Sequence, residues 1–347
     1  MSKMFRNGLV VGKFSPLHLG HERLIRQAQM QCEQLFLLCY SLPELPGCEA
    51  QRRASWLQAR FADIPSWVIT PALVEQWRSE GRVLPDLPHN DASEHQQRQF
   101  VAEVCTQVLG ATVDAVFTSE SYGDGFAAHL AHCFGHPVQH LCIDLPRLTI
   151  PISGTRLRAD PHGLKDFLAP EVYADFVERI VLLGGESTGK SSLAEALAQA
   201  LGTCHVAEFG REHWLARGGQ LNYDDLLHIG RTQVARENDA ARHAQRYLVC
   251  DTSPLTTLFY SQAMFGRFEA ELLALAERPY RHIFLCADDF PFVQDGTRQD
   301  ETFRHRQQAW YHTELQRRGW GYKVLNGSIE ERLEQVMTLL QVDALRP

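Results

Sequence analysis

Four consecutive apolar residues, Ile180-Val181-Leu182-Leu183, run directly into Gly184-Gly185-Glu186-Ser187-Thr188-Gly189-Lys190-Ser191-Ser192. A short apolar run of this kind reads as a buried strand, and Leu193, Ala194, Leu197 and Leu201 beyond it recur at helical spacing. Strand, G-x-x-x-x-G-K-S loop and helix, in that order, form the context that a phosphate-binding P-loop requires. Gly184 and Gly189 permit the backbone angles that turn successive N–H groups inward, so Gly184, Gly185, Glu186, Ser187, Thr188 and Gly189 read as a phosphate cradle. The helix N-terminus, which includes Ser192, adds positive potential. Lys190 reaches the β and γ phosphates, and the Ser191 hydroxyl can ligate Mg²⁺. ATP and Mg²⁺ are therefore the expected ligands. A P-loop usually opens its own domain, and here it begins near residue 180 of 347. The first half of the chain needs a separate explanation.

At roughly 100–200 residues per domain, two domains are expected. Apolar residues make up 44% of the chain, enough for two cores. The formal charge of −8 argues against broad binding to nucleic acid. No apolar run approaches the length of a membrane span, and the N-terminus lacks the apolar core of a signal peptide. Nine cysteines are scattered without a C-x-x-C pair, and Cys39, Cys142, Cys250 and Cys286 fall in apolar runs that read as strands. Buried reduced thiols in a cytoplasmic protein are the simplest account.

In the first half, a short apolar run at 8–11 starts almost immediately, leaving no room before it for a helix-turn-helix. It meets Gly12-Lys13-Phe14-Ser15-Pro16-Leu17-His18-Leu19-Gly20-His21, followed by Leu24, Ile25 and Ala28 at helical spacing. His18 and His21 thus fall at a helix N-terminus, where with Lys13 they can donate to phosphate oxygens. The string resembles the G-x-F-x-P-x-H-x-G-H signature of the nucleotidyltransferase α/β-phosphodiesterase superfamily, whose second signature, I-S-x-T-x-x-R, has a counterpart in Ile152-Ser153-Gly154-Thr155-Arg156-Leu157-Arg158. The resemblance implies substrate contacts from Gly12, Phe14, Ser153 and Thr155, and a role for Arg158 beside Lys13, His18 and His21 at the departing pyrophosphate. Between the signatures, 35–40, 115–118 and 141–145 read as strands, and 52–61 and 100–109 as helices. Residues 71–97 show no clear period and read as a long loop, either an ordinary surface insertion or a cover for the substrate with Trp77 available to stack on its ring. Ser119-Glu120-Ser121-Tyr122-Gly123 follows a strand, which places Glu120 and Tyr122 at the carboxyl edge where open α/β sheets bind ligands. His129, His132, Cys133, His136 and His140 suit zinc by type, but Gly135 and Pro137 interrupt the helix that would align them.

Residues 161–178 read as a partly helical connector. In the second half, 204–207 reads as a strand ending at Glu208, a carboxylate that can act as general base for a hydroxyl acceptor. Residues 223–244 read as a long helix and 247–251 as a strand ending in Asp251, placed to hold Mg²⁺ opposite Ser191. Strands are also read at 282–287 and 322–325. The charged stretch 288–306 carries Asp295-Gly296-Thr297-Arg298, whose Arg298 is the candidate lid cation, with Arg304 and Arg306 as further arginines. Ser328 and Glu331 form a capping-box pattern before the last helix.

Taken together, the stretches 12–21, 119–123, 152–158, 184–191, 208–211, Asp251 and 295–298, in this order, resemble the bifunctional NadR family, in which a nicotinamide-nucleotide adenylyltransferase is joined to a ribosylnicotinamide kinase. The resemblance implies an α/β chain with a Rossmann-like nucleotidyltransferase domain (1–160), a connector (161–178) and a P-loop kinase domain (179–347), both with mainly parallel sheets. It implies phosphorylation of nicotinamide riboside to nicotinamide mononucleotide (NMN), then adenylylation of NMN by a second ATP to NAD and pyrophosphate. DNA and membranes are not expected partners; a homo-oligomer is compatible with the sequence. Two alternatives stay open: a phosphopantetheine adenylyltransferase fused to dephospho-CoA kinase, and a regulator whose P-loop senses ATP without turnover.

Overall fold

The computed structural model describes residues 3–145 and 148–344. The chain divides into two compact units, the first ending at Phe176 and the second beginning at Val177. Each carries one five-stranded sheet, and every strand pairing in both sheets is parallel.

In the first unit, β1 (Phe5–Gly12) is followed by α1 (Leu19–Gln31), β2 (Cys32–Tyr40), α2 (Ala50–Phe61), β3 (Ser66–Ile69), α3 (Pro71–Ser79) and α4 (Glu94–Glu103). Next come β4 (Ala115–Thr118), α5 (Gly123–Phe134), β5 (Gln139–Cys142), α6 (Gly154–Ala159) and α7 (Pro170–Tyr173). The strand order is β3-β2-β1-β4-β5. The chain builds outward from β1 on one side, then returns to build outward on the other. The reversal leaves a crevice at the carboxyl ends of β1 and β4, where open parallel sheets bind ligands. Leu9, Phe36, Leu38, Val116, Phe100 and Leu130 share one buried core.

Several expectations need correction. Residues 71–79 are helix: Thr70 caps α3 by accepting from Leu73 N at 3.2 Å, and Pro71 supplies the fixed φ suited to a first helical turn. Val74 and Trp77, three residues apart, face the core, so Trp77 is a core residue and offers no ring to a substrate. Helix α4 starts earlier than position 100, at a Ser93/Gln96 capping box, and gives way to a π-helical stretch, Val104–Leu109. Strand β5 ends at Cys142, which is exposed, unlike the buried Cys39, Cys250 and Cys286. Residues 164–176 fold with the first unit. Trp56 Nε1 donates to Asp175 Oδ2 at 2.7 Å, and Arg60 bridges Glu22 and Glu171 at 3.0 and 3.3 Å.

In the second unit, β6 (Glu178–Leu183) leads through the glycine loop to α8 (Lys190–Ala200). There follow β7 (His205–Val206), α9 (Phe209–Ala216), α10 (Tyr223–Ala241), β8 (Tyr247–Asp251), α11 (Pro254–Phe265) and α12 (Ala270–Ala276). The unit closes with β9 (His282–Cys286), α13 (Glu301–Arg317), β10 (Lys323–Leu325) and α14 (Ile329–Ala344). The order β10-β9-β6-β8-β7 again puts the first strand in the centre, so the loop after β6 lies at the reversal point. Leu182 pairs with Asp251 on one side and Phe284 on the other, which lifts Asp251 to the level of the glycine loop. The capping box before α14 is present: Ser328 N donates to Glu331 Oε2 at 2.7 Å and Glu331 N to Ser328 Oγ at 3.3 Å. Among the described residues, no helix is long and apolar enough to cross a membrane.

Candidate functional site

The second unit holds a cavity of about 650 Å³. One end is formed by Glu186, Ser187, Thr188, Gly189, Lys190, Ser191 and Ser192. The backbone turns as the glycine pattern requires, with φ of 143° at Gly184 and 76° at Gly189. Gly184 and Gly185 shape the loop from behind and do not face the cavity. A Cβ on Gly184 would lie 2.7 Å from the Cys286 carbonyl oxygen, so only glycine fits against β9. Lys190 Nζ donates to the carbonyls of Gly184 and Gly185 at 3.0 and 2.8 Å, spanning the loop. Ser191 Oγ donates to Asp251 Oδ2 at 2.5 Å. Asp251 is buried, and its Oδ1 has no hydrogen-bond partner among the described residues. A buried carboxylate oxygen of this kind suits a cation.

Glu208, the residue before α9, also lines this cavity. Burial pushes its carboxyl up to about 7, with the nearby Asp251 carboxylate adding to the rise and Lys190 and Arg211 opposing it. A carboxylate at that value is poised to take up a proton near neutrality. Arg298 faces the cavity as expected, with Nη1 donating to Ser187 Oγ at 3.1 Å and Nη2 paired with Asp295 at 3.1 Å. Arg211 reaches the same Asp295 at 3.6 Å, so one carboxylate gathers two cations at the cavity edge. Arg306 lines the wall. Arg304 is a correction: it is buried, and it donates to the carbonyls of Asp288 and Phe290, which makes it a support of the segment before α13.

The glycine loop is held from behind by residues far away in sequence. Gln308 Oε1 accepts from Gly185 N at 2.9 Å and Gln307 Oε1 from Glu186 N at 3.0 Å. From α14, the buried Arg332 donates to Thr188 O at 2.7 Å, Gly327 O at 2.9 Å and Ala287 O at 3.1 Å, and pairs with Asp289. Replacing Arg332 by Ala leaves three carbonyls and a carboxylate without their donor. We expect a loss of about 3 kcal/mol in denaturant unfolding of the second unit, together with weaker ATP binding by calorimetry.

Sequence reading missed Trp214, Gln233 and Tyr260 in the same wall. Gln233 is 2% exposed. Its Oε1 accepts from Phe209 N at 3.0 Å, and its Nε2 has no partner among the described residues. A signal existed: Leu226, Ile229 and Gln233 follow helical spacing, which sets a polar residue on the buried face of α10. Tyr260 donates to Glu186 Oε1 at 2.7 Å, a contact between α11 and the glycine loop that no local pattern announces.

The first unit holds a cavity of about 370 Å³ at the β1/β4 crevice. Gly12, Lys13, Phe14, His18, His21, Glu120 and Tyr122 line it, together with Arg23, Thr118 and Asp144. His18 caps α1: its Nδ1 accepts from His21 N at 3.3 Å, and the two imidazoles stack with centroids 3.6 Å apart. Phe14 meets His21 edge-on at 5.2 Å. Burial lowers the Lys13 ammonium from its ordinary range, and Arg158 nearby adds to the fall. Two neighbouring cations held in this way favour an anion between them. Ser153, Thr155 and Arg158 stand behind the wall. Ser153 caps α6, and Arg158 donates to Ser15 O and, at 3.2 Å, to Thr155 Oγ1.

The histidines at 129–140 do not converge. His129 meets Gln99 at 3.2 Å, His136 meets Thr112 at 2.9 Å, and His140 meets Thr118 and Asp124 at 2.8 and 2.7 Å. Among the described residues, no group of three or more His, Cys, Asp or Glu is arranged to hold a metal ion.

A family model described as AAA domain matches residues 179–332, the unit with the glycine loop. The trifunctional NAD biosynthesis/regulator protein NadR of Escherichia coli (strain K12) is 28% identical over 305 residues, which cover 84% of this chain and 71% of that protein. Its counterpart in Salmonella typhimurium is 27% identical over the same shares. Among solved structures, NadR protein in complex with NAD and AMP-PNP matches with a TM-score of 0.69 at 17% identity, over 100% of this chain and 99% of that one. NadR protein in complex with NR matches with a TM-score of 0.70 at 18% identity, over 100% and 98%. At such identities the structural likeness is one of fold. Sequence likeness over most of the chain, with the same fold along all of it, makes this protein a homologue of NadR.

Proposed function

We propose that this protein makes NAD in two ATP-dependent steps, one in each unit. In the second unit, nicotinamide riboside accepts the γ-phosphoryl of ATP on its 5′-hydroxyl, giving NMN and ADP. In the first unit, NMN attacks the α-phosphorus of another ATP, giving NAD and pyrophosphate. The observation that carries the reading is the meeting of Lys190, Ser191, Glu208 and Arg298 in one cavity, with Asp251 bonded to Ser191 behind them. A phosphate cradle, a carboxylate poised near neutrality and an arginine from a separate segment together serve phosphoryl transfer to a hydroxyl. The NadR relatives, solved with NAD, AMP-PNP and NR, support the choice of substrates.

Ser191 and Asp251 would hold Mg²⁺, which when bound neutralises phosphate charge. Lys190 leaves the loop carbonyls for the phosphates. Glu208 accepts the proton of the attacking hydroxyl, and Arg298 meets charge that develops on the transferred group. In the first unit the NMN phosphate is already ionised and needs no base. His18, His21, Lys13 and Arg158 serve by positioning ATP and stabilising the departing pyrophosphate.

The kinase step has a predicted pH signature. Glu208 must be ionised to act, so kcat/KM rises with pH through its pKa. A cation at Asp251 cancels part of the field that raises it, so the midpoint lies between the ordinary glutamate range and about 7. Glu208→Gln should lose this acid limb and about 10²–10⁴ of rate. A Glu208→Gln variant with wild-type rate and profile sinks the assignment. The reading as a whole is tested by chromatography of products from protein, Mg-ATP and nicotinamide riboside. NMN and NAD are expected; neither product from folded, ATP-binding protein overturns it.

A further inference from the structure

The turn that brings Glu120 and Tyr122 into the wall of the first cavity is held by Thr118, itself a wall residue, with His140 outside the wall beyond it. Thr118, at the end of β4, contacts the chain on both sides of the Glu120 side chain. Its Oγ1 donates to Glu120 O at 3.0 Å and accepts from Glu120 N at 3.3 Å. The hydroxyl has a third partner, His140 Nε2, at 2.8 Å. His140 stands on the neighbouring β5, opposite Val116. Its other nitrogen, Nδ1, lies 2.7 Å from Asp124 Oδ1 in the first turn of α5. The imidazole thus joins the strand before the turn to the helix after it. Gly123 shows how closely the parts fit, because a Cβ there would lie 2.0 Å from His140 Nε2. The ring fills the space that any larger residue at 123 would claim.

The His140 side chain is only 9% exposed, whereas Asp124 is 92% exposed. An ionised Asp124 only accepts, so it accepts from Nδ1–H and orients the ring, and Nε2 then shares the single Thr118 hydroxyl proton with Glu120 O. The side chains this arrangement presents are a carboxylate and an aromatic face. Together they match a flat cationic ring, the chemistry of a pyridinium mononucleotide.

We propose that His140, oriented by Asp124, is a positioning residue of the first site. Acting through Thr118, it sets the 119–122 turn so that Glu120 and Tyr122 engage the pyridinium end of the mononucleotide. This rests on the adenylylation reading above. His140 itself touches no reacting atom.

The test is steady-state adenylylation of NMN by the full chain, with hydrogen–deuterium exchange at 119–123. His140→Ala is expected to raise KM for NMN about tenfold, the worth of one good hydrogen bond. Its kcat should stay within about threefold, and KM for ATP and the kinase reaction should not move. Amides at 119–123 should exchange faster, beyond any general loosening seen elsewhere in the first unit. His140→Gln, which can return a polar atom near the Nε2 position, should restore most of the KM, and His129→Ala should behave as wild type. An unchanged KM with unchanged exchange overturns the proposal, as does a loss confined to kcat. Where His140→Ala does not fold, Asp124→Ala carries the same test at an exposed position: a smaller rise in KM supports the proposal and none overturns it. A wild type that does not adenylylate NMN overturns the functional reading instead. In that case the exchange rates alone decide the positioning role, faster exchange supporting it and equal exchange ending it.

Discussion

Lys190→Ala is expected to abolish phosphorylation of nicotinamide riboside, with a fall of about 10³-fold or more, while adenylylation of supplied NMN continues at the wild-type rate. Lys190 is the cation that the loop itself supplies. Its Nζ bonds two loop carbonyls, so its stem already crosses the cradle and a short movement carries the charge to a phosphate. Arg298 and Arg211 come from other segments and share Asp295, so neither takes the place of Lys190 across the loop. The fold should survive: Gln307, Gln308 and Arg332 hold the loop's backbone through other atoms, and Lys190 adds only its bonds to the Gly184 and Gly185 carbonyls. The measurement is product formation from each substrate alone, beside a thermal melt. Retention of the kinase step, or loss of both activities without unfolding, would contradict the assignment of one reaction to each unit.

His18→Ala is expected to lower adenylylation by about 10²–10³-fold, so that NMN accumulates when riboside and ATP are supplied. Two effects overlap at this residue. His18 caps α1 through Nδ1, and losing a cap costs about 1 kcal/mol. Because Nδ1 accepts, the proton of the neutral ring sits on Nε2, where it can be given to a phosphate oxygen. His18→Asn separates the two. Asparagine caps helices well, so this variant should melt like wild type and still be slow. An active His18→Asn would reduce His18 to a structural cap.

The parts of the chain that were legible are those where chemistry demands particular residues at fixed spacing. The glycine loop, the 12–21 string, Glu208, Asp251 and Arg298 each combine a sharp local pattern with a place after a strand. The strands at 115–118 and 247–251 were legible because their apolar runs end abruptly at polar turns. Trp77 was misplaced because α3 is short and sits among polar residues; its one strong marker is the Thr70-Pro71 start. The four-residue β3 has too little length for any period to register. Gln233, Tyr260 and Arg332 lie 43 to 142 positions from Lys190. Their roles come from tertiary packing, which a local pattern does not record. Arg304 and Arg298 show the same limit within one segment: similar neighbours, yet one guanidinium supports the backbone and the other faces the cavity.

The contact between Arg332 and Thr188 has a consequence for how the protein comes into being. Synthesis proceeds from the N-terminus, so the glycine loop leaves the ribosome well before the helix that braces it. Through that interval the nascent chain carries the whole phosphate-binding string without the guanidinium that holds the Thr188 carbonyl in place. The cradle is therefore fully braced only when position 332 docks. Until then the cradle lacks that brace, whereas every residue that lines the first unit's cavity has been made by Ile152.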